Sequence, residues 1–177
     1  LKKSLIATAA LMLMAAPAMA QMAPSAPAGA LSSTDKHFIE KAAQGGIAEV
    51  QLAQLAQQKG ESDTVKQFAQ KMIDDHTPNN QQLVALATKL GDVPPTEPNA
   101  MQQKMMTHLQ GLEGAKFDRA YITGQIKAHT AMLKLFQEEA KAGENEQVKA
   151  FAEQTVPVIQ QHLSMAEADK SGAKSTM

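Results

Sequence analysis

Residues 60–69 read GESDTVKQFA and residues 143–152 read GENEQVKAFA. Gly, Glu, Val, Lys, Phe and Ala recur in the same places, 83 positions apart (60 to 143). The same offset lays Asp35 on Asp118, Ile39 on Ile122, Ala48 on Ala131 and Leu52 on Leu135. An internal repeat of this kind predicts two related units. In each unit apolar residues return every three or four positions, the spacing of a helix with one buried face.

Around these segments four long helices are expected. The first covers residues 34–59, with Ser33 or Thr34 capping its amides, Asp35 at the positive end of its dipole and Gly60 as its stop. The second covers 62–90 and carries Val65, Phe68, Met72, His76 and Leu83 on one stripe. The third covers 115–142, and the fourth 144–168. Pro78 and Pro157 fall inside helical patterns, where each removes a backbone hydrogen bond and predicts a kink. Residues 92–99, DVPPTEPN, cannot be helical, and 100–110 fit a short Met-rich helix. The connection from 91 to 114 far exceeds the usual helix–helix turn of about 2–8 residues and can run back along a bundle. A single hairpin cannot bury its apolar stripe alone. The expected fold is therefore all-α: a ferritin-like four-helix bundle made of two related helical hairpins joined by a long crossover.

Composition agrees with helices and removes several functions. The chain has 177 residues, no Cys, no Trp, one Tyr and five Phe. Without Cys there is no disulfide framework, thiolate metal site, thiol nucleophile or lipidated Cys. Aromatics at 3% argue against base stacking on single strands, and a formal charge of −1 is no footprint for nucleic acid. Residues 1–20, LKKSLIATAALMLMAAPAMA, have the build of a signal peptide: Lys2 and Lys3, an apolar run too short to span a bilayer, and Ala18-Met19-Ala20 as a cleavage site. Residues 21–32 read as an Ala/Pro-rich linker, 33–170 as the bundle domain and 171–177 as a flexible tail. No second apolar run of spanning length follows. The expected product is periplasmic or secreted, with no transmembrane segment after cleavage.

The chemistry sits on the inward stripes. His76, His129 and His162 lie on the second, third and fourth helices, and Glu49 lies on the small-residue stripe of the first. At a rise of about 1.5 Å per residue all four fall at about 16–26 Å from the hairpin turns, near mid-height of helices about 40 Å long. Imidazoles with one carboxylate suit a single transition-metal ion: Zn, Cu, Ni, Mn or Fe. Mid-bundle is where this architecture places its metals. A conventional di-iron centre is not expected, because it needs Glu-x-x-His on two helices and an inward Glu on the other two. Here Ile73 and Ile159 precede His76 and His162 by three residues, and Met132 takes the place of Glu49 in the second repeat. Two other readings stand beside the metal: a buried polar layer satisfied within the core, or side chains that do not converge.

Weaker features complete the pattern. Met101, Met105, Met106 and His108 fit either soft copper ligation or a helix face packed on the bundle. Asp74 or Asp75 can orient a ring beside them. Gly45 and Gly46 leave room for a ligand or for close packing. His37 reads as exposed, and no Ser-His-Asp arrangement, phosphate loop or dinucleotide fingerprint is present.

FIEKAAQGGIAEVQLAQLA (38–56), VKQFAQKMIDDH (65–76), Phe117-Asp118 with Tyr121 and His129, and a last helix with Pro157 and His162 resemble domain-of-unknown-function family 4142. The resemblance covers about residues 33–168. It implies a ferritin-like fold and bacterial export, and its pattern carries over to Glu49, His76, His129 and His162. It brings no activity, so the enzyme question stays open. Two functions follow from the sequence: metal handling or stress response at a mid-bundle metal, or a metal-free envelope structural module. The second would engage an envelope protein or form a homo-oligomer.

Overall fold

The computed structural model describes residues 29–175. The expected signal peptide, residues 21–28 of the expected linker, and residues 176–177 lie outside the described residues. Five helices follow one another: α1 (Ser33–Lys59), α2 (Asp63–Lys89), α3 (Ala100–Gln110), α4 (Gly114–Ala142) and α5 (Glu146–Ser175). No strand occurs among the described residues. α1 packs on α2, α4 packs on α5, and the two pairs meet through α1 with α4 and α2 with α5. α3 lies across α1 and α4 and fully buries only Leu109. The molecule is thus an all-helical bundle.

The helix ends refine the sequence reading. α1 is capped one residue earlier than expected: Ser32 accepts from the Asp35 amide, and Asp35 returns the bond to the Ser32 amide at 2.8 Å. This reciprocal capping box satisfies two amides that the helix itself leaves free. Asn145 caps α5, and its side-chain amide donates to the Gly29 carbonyl at 2.7 Å, tying the end of the linker to the bundle. α5 runs on to Ser175, past its expected end at Ala168. Both α2 and α5 continue through their prolines, so a missing hydrogen bond does not end either helix.

The repeat has a physical counterpart at the ends of the bundle. Asp118 near the start of α4 accepts from the amides of Glu61 and Ser62, at 3.0 and 2.9 Å, where α2 begins. Asp35 near the start of α1 accepts from the amides of Glu144 and Asn145, at 3.0 and 3.2 Å, where α5 begins. The 83-position offset relates donors to donors and acceptor to acceptor. α1 and α4 therefore run in opposite directions, each with its first turn against the loop of the other pair.

Between these ends the core divides in two. Phe38, Ile39, Leu83, Phe136, Val148 and Phe151 fill one half. Phe68, Met72, Leu109, Phe117, Tyr121 and Ile122 fill the other. On each long helix the residues between the two clusters include the polar ones: Glu49, His76, His129 and His162. The glycines of α1 belong to this middle layer and provide close packing rather than an open space. A Cβ on Gly46 would collide with Asn80, and one on Gly45 with Met132.

Candidate metal centre

α2, α4 and α5 each bring one imidazole to the middle layer. Ring centroids are 5.8 Å apart for His76 and His129, 5.2 Å for His76 and His162, and 5.4 Å for His129 and His162. One ring nitrogen from each lies within 4.8 Å of the other two. An ion at their centre would need nitrogen shifts of less than about 1 Å to reach metal–nitrogen bonds of about 2.0–2.1 Å.

Hydrogen bonds fix which nitrogen carries the proton on two of the rings. His129 Nδ1–H donates to the Gln125 carbonyl at 3.0 Å, which leaves Nε2 with a lone pair. His162 Nε2–H donates to Asp75 Oδ2 at 2.7 Å, which leaves Nδ1 with a lone pair. His129 Nε2, His162 Nδ1 and His76 Nε2 are all buried without a hydrogen-bond partner. A buried acceptor left this way costs about 1–3 kcal/mol. Burial lowers the His76 pKa to about 3, helped by the neighbouring His129 and His162 and opposed by Asp75. Burial also lowers His162, against the hydrogen bond it donates to Asp75. Neutral imidazole is the form that binds a metal.

Glu49 stands beside this group rather than in it. It is buried and its Oε2 has no partner, but it does not belong to the converging ligand atoms. Burial raises its pKa, against the charge of His129 and a hydrogen bond from the Gln125 side chain. Tyr121, also buried with an unpartnered hydroxyl, is pushed up by burial and then by Glu49. Gln125 thus serves twice: its carbonyl holds His129 and its side chain holds Glu49.

Sequence reading put Asp74 or Asp75 beside His76. Asp75 instead reaches across to His162 on α5, and is itself held by Lys71 Nζ at 2.6 Å. Burial raises its pKa, but hydrogen bonds from Lys71 and His162 outweigh this and lower it. The signal for a structured Asp75 was its i, i+4 spacing to Lys71. Asp74 is exposed and accepts from Gln70. Met105 and Met106 pack against the core, while Met101 and His108 are exposed. That outcome matches the packing reading of α3 for the two inner methionines. His37 is exposed, as expected.

A cleft of about 330 Å³ opens between α2 and α5, and His76, His162 and Asp75 form part of its wall. Three imidazoles supply three of the four positions of a tetrahedral ion, the donor count of metal sites that keep one position for an outside ligand. No helix among the described residues is long and apolar enough to cross a membrane.

The chain belongs to the family described as domain of unknown function DUF4142, which it matches over residues 20–168. No curated protein matches it. Among solved structures, it is similar to the crystal structure of a DUF305 fragment from Deinococcus radiodurans, with a TM-score of 0.71 at 16% identity. The match covers 81% of this chain and 99% of that one, a likeness of fold.

Proposed function

We propose that this is an exported ferritin-like protein, two related hairpins joined by a long crossover, that binds one transition-metal ion through His76, His129 and His162. Its role is metal handling or a response to metal or redox stress in the bacterial envelope. The observation that carries the binding reading is the convergence of one ring nitrogen from each of three histidines, each of which also has a buried nitrogen without a partner, and two of which are anchored by a hydrogen bond from the other nitrogen. Such anchoring is how proteins hold metal-ligating histidines. All-nitrogen donors favour Zn or Cu, with Ni and Fe next and Mn last. Glu49, held toward its neutral form by burial, ionises and serves as a fourth donor when a metal draws its carboxylate inward. Export rests on the build of residues 1–20.

The test is elemental analysis by mass spectrometry of protein purified without a histidine tag, beside His129→Ala. About one metal per chain in the parent and none in the variant, with helix content retained in both, is the expected result. Stoichiometric metal in His129→Ala counts against the site. A metal-free envelope interaction module is the second reading, favoured by the exposed apolar side chains of Val93 and Met101, 90% and 77% accessible. No metal in either protein after incubation with Zn, Cu, Mn and Fe salts would favour it.

A further inference from the structure

His129 and His162 are buried and His76 is half-buried, yet a cation must reach all three. The cleft between α2 and α5 touches His76 and His162, and its lining sets acids and amides among Pro78, Phe151, Val158 and Ile159. Asp74 and Asp75 contribute carboxylates, Asn79, Gln82 and Gln154 contribute neutral amides, and no Lys or Arg takes part in the lining. Asp75 is paired with Lys71 at 2.6 Å, so Asp74 and the amide oxygens are what this wall offers a cation.

The walls of the cleft are also the weakest parts of their helices. Pro78 deprives the Asp74 carbonyl of its helical donor, and Pro157 does the same to Glu153. The two prolines lie two residues after His76 and five before His162, so both weakened turns flank the same opening. Side-chain bonds tie the helices together there, from Asn79 Nδ2 to Thr155 Oγ1 at 3.1 Å and from His162 Nε2 to Asp75 Oδ2 at 2.7 Å. The four-residue step from Asp74 to Pro78 spans one turn, from the outer carboxylate to the weakened backbone, with Asp75 and His76 between.

We propose that the α2–α5 cleft is the entry and exit route for the metal cation. Asp74 captures the ion at the surface, the amide-lined cleft carries it, and the Asn79–Thr155 bond marks where the two helices part to let it pass. This rests on the three-histidine reading of the site. It assigns Asp74, Gln82, Gln154 and Thr155 to the rate of metal exchange and not to its equilibrium.

The experiment uses Zn²⁺ alone, with stopped-flow loading of the purified protein and release into a chelator. Gln154→Trp places a bulky side chain in the cleft from an exposed helical position. It is expected to slow loading and release at least tenfold each, leaving the dissociation constant within twofold of the parent. Asp74→Asn is expected to slow loading about threefold at low salt, an effect that disappears at high salt as the charge is screened. Loading and release at parental rates in both variants, with one zinc bound, would overturn the route alone. No zinc uptake by the parent would overturn the three-histidine reading, and the route with it.

Discussion

Asp35 and Asp118 do the same work at opposite ends of the bundle, but they are not equally placed. Each sits in the first turns of one helix and receives two amides from the loop of the other pair. Asp35 also closes the capping box of its own helix and is fully buried, while Asp118 is half-buried. Asp35 has a second acid opposite it, Glu139, which is also buried. By the 83-position offset Glu139 falls on Ala56, so the Asp118 end has no such partner. The repeat copies the frame, and the additions made to one copy are what distinguish the ends.

The largest effect should separate these two aspartates. Asp35→Ala leaves the amides of Ser32, Glu144 and Asn145 without their carboxylate, in a site closed to water. A loss of at least about 3 kcal/mol is expected, since hydrogen bonds to charged groups contribute about 1.5–3 kcal/mol each. Asp118→Ala strands two amides nearer to solvent and should cost about half as much. Urea denaturation of both variants measures this. Equal losses would show that burial and the added capping box make no difference to the cage.

The middle layer breaks the repeat more completely. At the same offset His129 falls on Gly46, His76 on Ile159, His162 on Asn79 and Glu49 on Met132. Every candidate ligand thus faces a residue in the other copy that cannot repeat its role, and a symmetric frame carries a one-sided polar cluster. Asp75 falls on Val158 and belongs to the same one-sided set. Asp75→Asn removes the carboxylate that receives the His162 proton, and should weaken zinc affinity about 10–100-fold. The neighbouring Asp74→Asn should leave the affinity within twofold, since Asp74 is bonded to Gln70 on its own helix. A competition titration with a zinc indicator reads both, and equal affinities in the two variants would remove Asp75 from the site.

This division also explains what could be read without a structure. The helices follow from local spacing and from Gly60, Gly143 and the proline run at 94–98. The repeat told of two related units because each copy needs the same Val, Phe and Ala to fill its half of the core. Three inward histidines were visible for the same reason: polar residues on an apolar stripe stand out. Contacts between distant helices were not visible. Asp75 to His162 spans 87 positions and Asp35 to Glu144 spans 109, and no local period encodes either. The role of Gly46 depended on Asn80 filling the space above it, a matter of side-chain shape across a helix pair. Glu49 was placed at the right height, but height along a bundle does not say whether a side chain reaches its centre.

Glu139 offers the subtlest way to test the unequal ends. Burial, followed by the facing Asp35 carboxylate, raises its pKa to about 7 from an ordinary 4.5. The unfolded chain therefore loses this proton near pH 4.5, while the folded chain keeps it until about pH 7. Between those values the native state binds more protons, so its stability must fall as pH rises and level off above. Asp35 works in the other direction and lower down. Burial pushes its pKa up, but the Ser32 and Asn145 hydrogen bonds carry it below 3.8, so its stabilisation is lost only as the solution becomes strongly acidic. Glu139→Gln removes one slope and leaves the other. Its urea stability from pH 5 to 8 should be flatter than the parent's, with the curves diverging by on the order of 1–2 kcal/mol at the alkaline side. Parallel curves would mean that Glu139 ionises in the folded chain as it does in the unfolded one, and that Asp35 is no more burdened at its end than Asp118 is at the other.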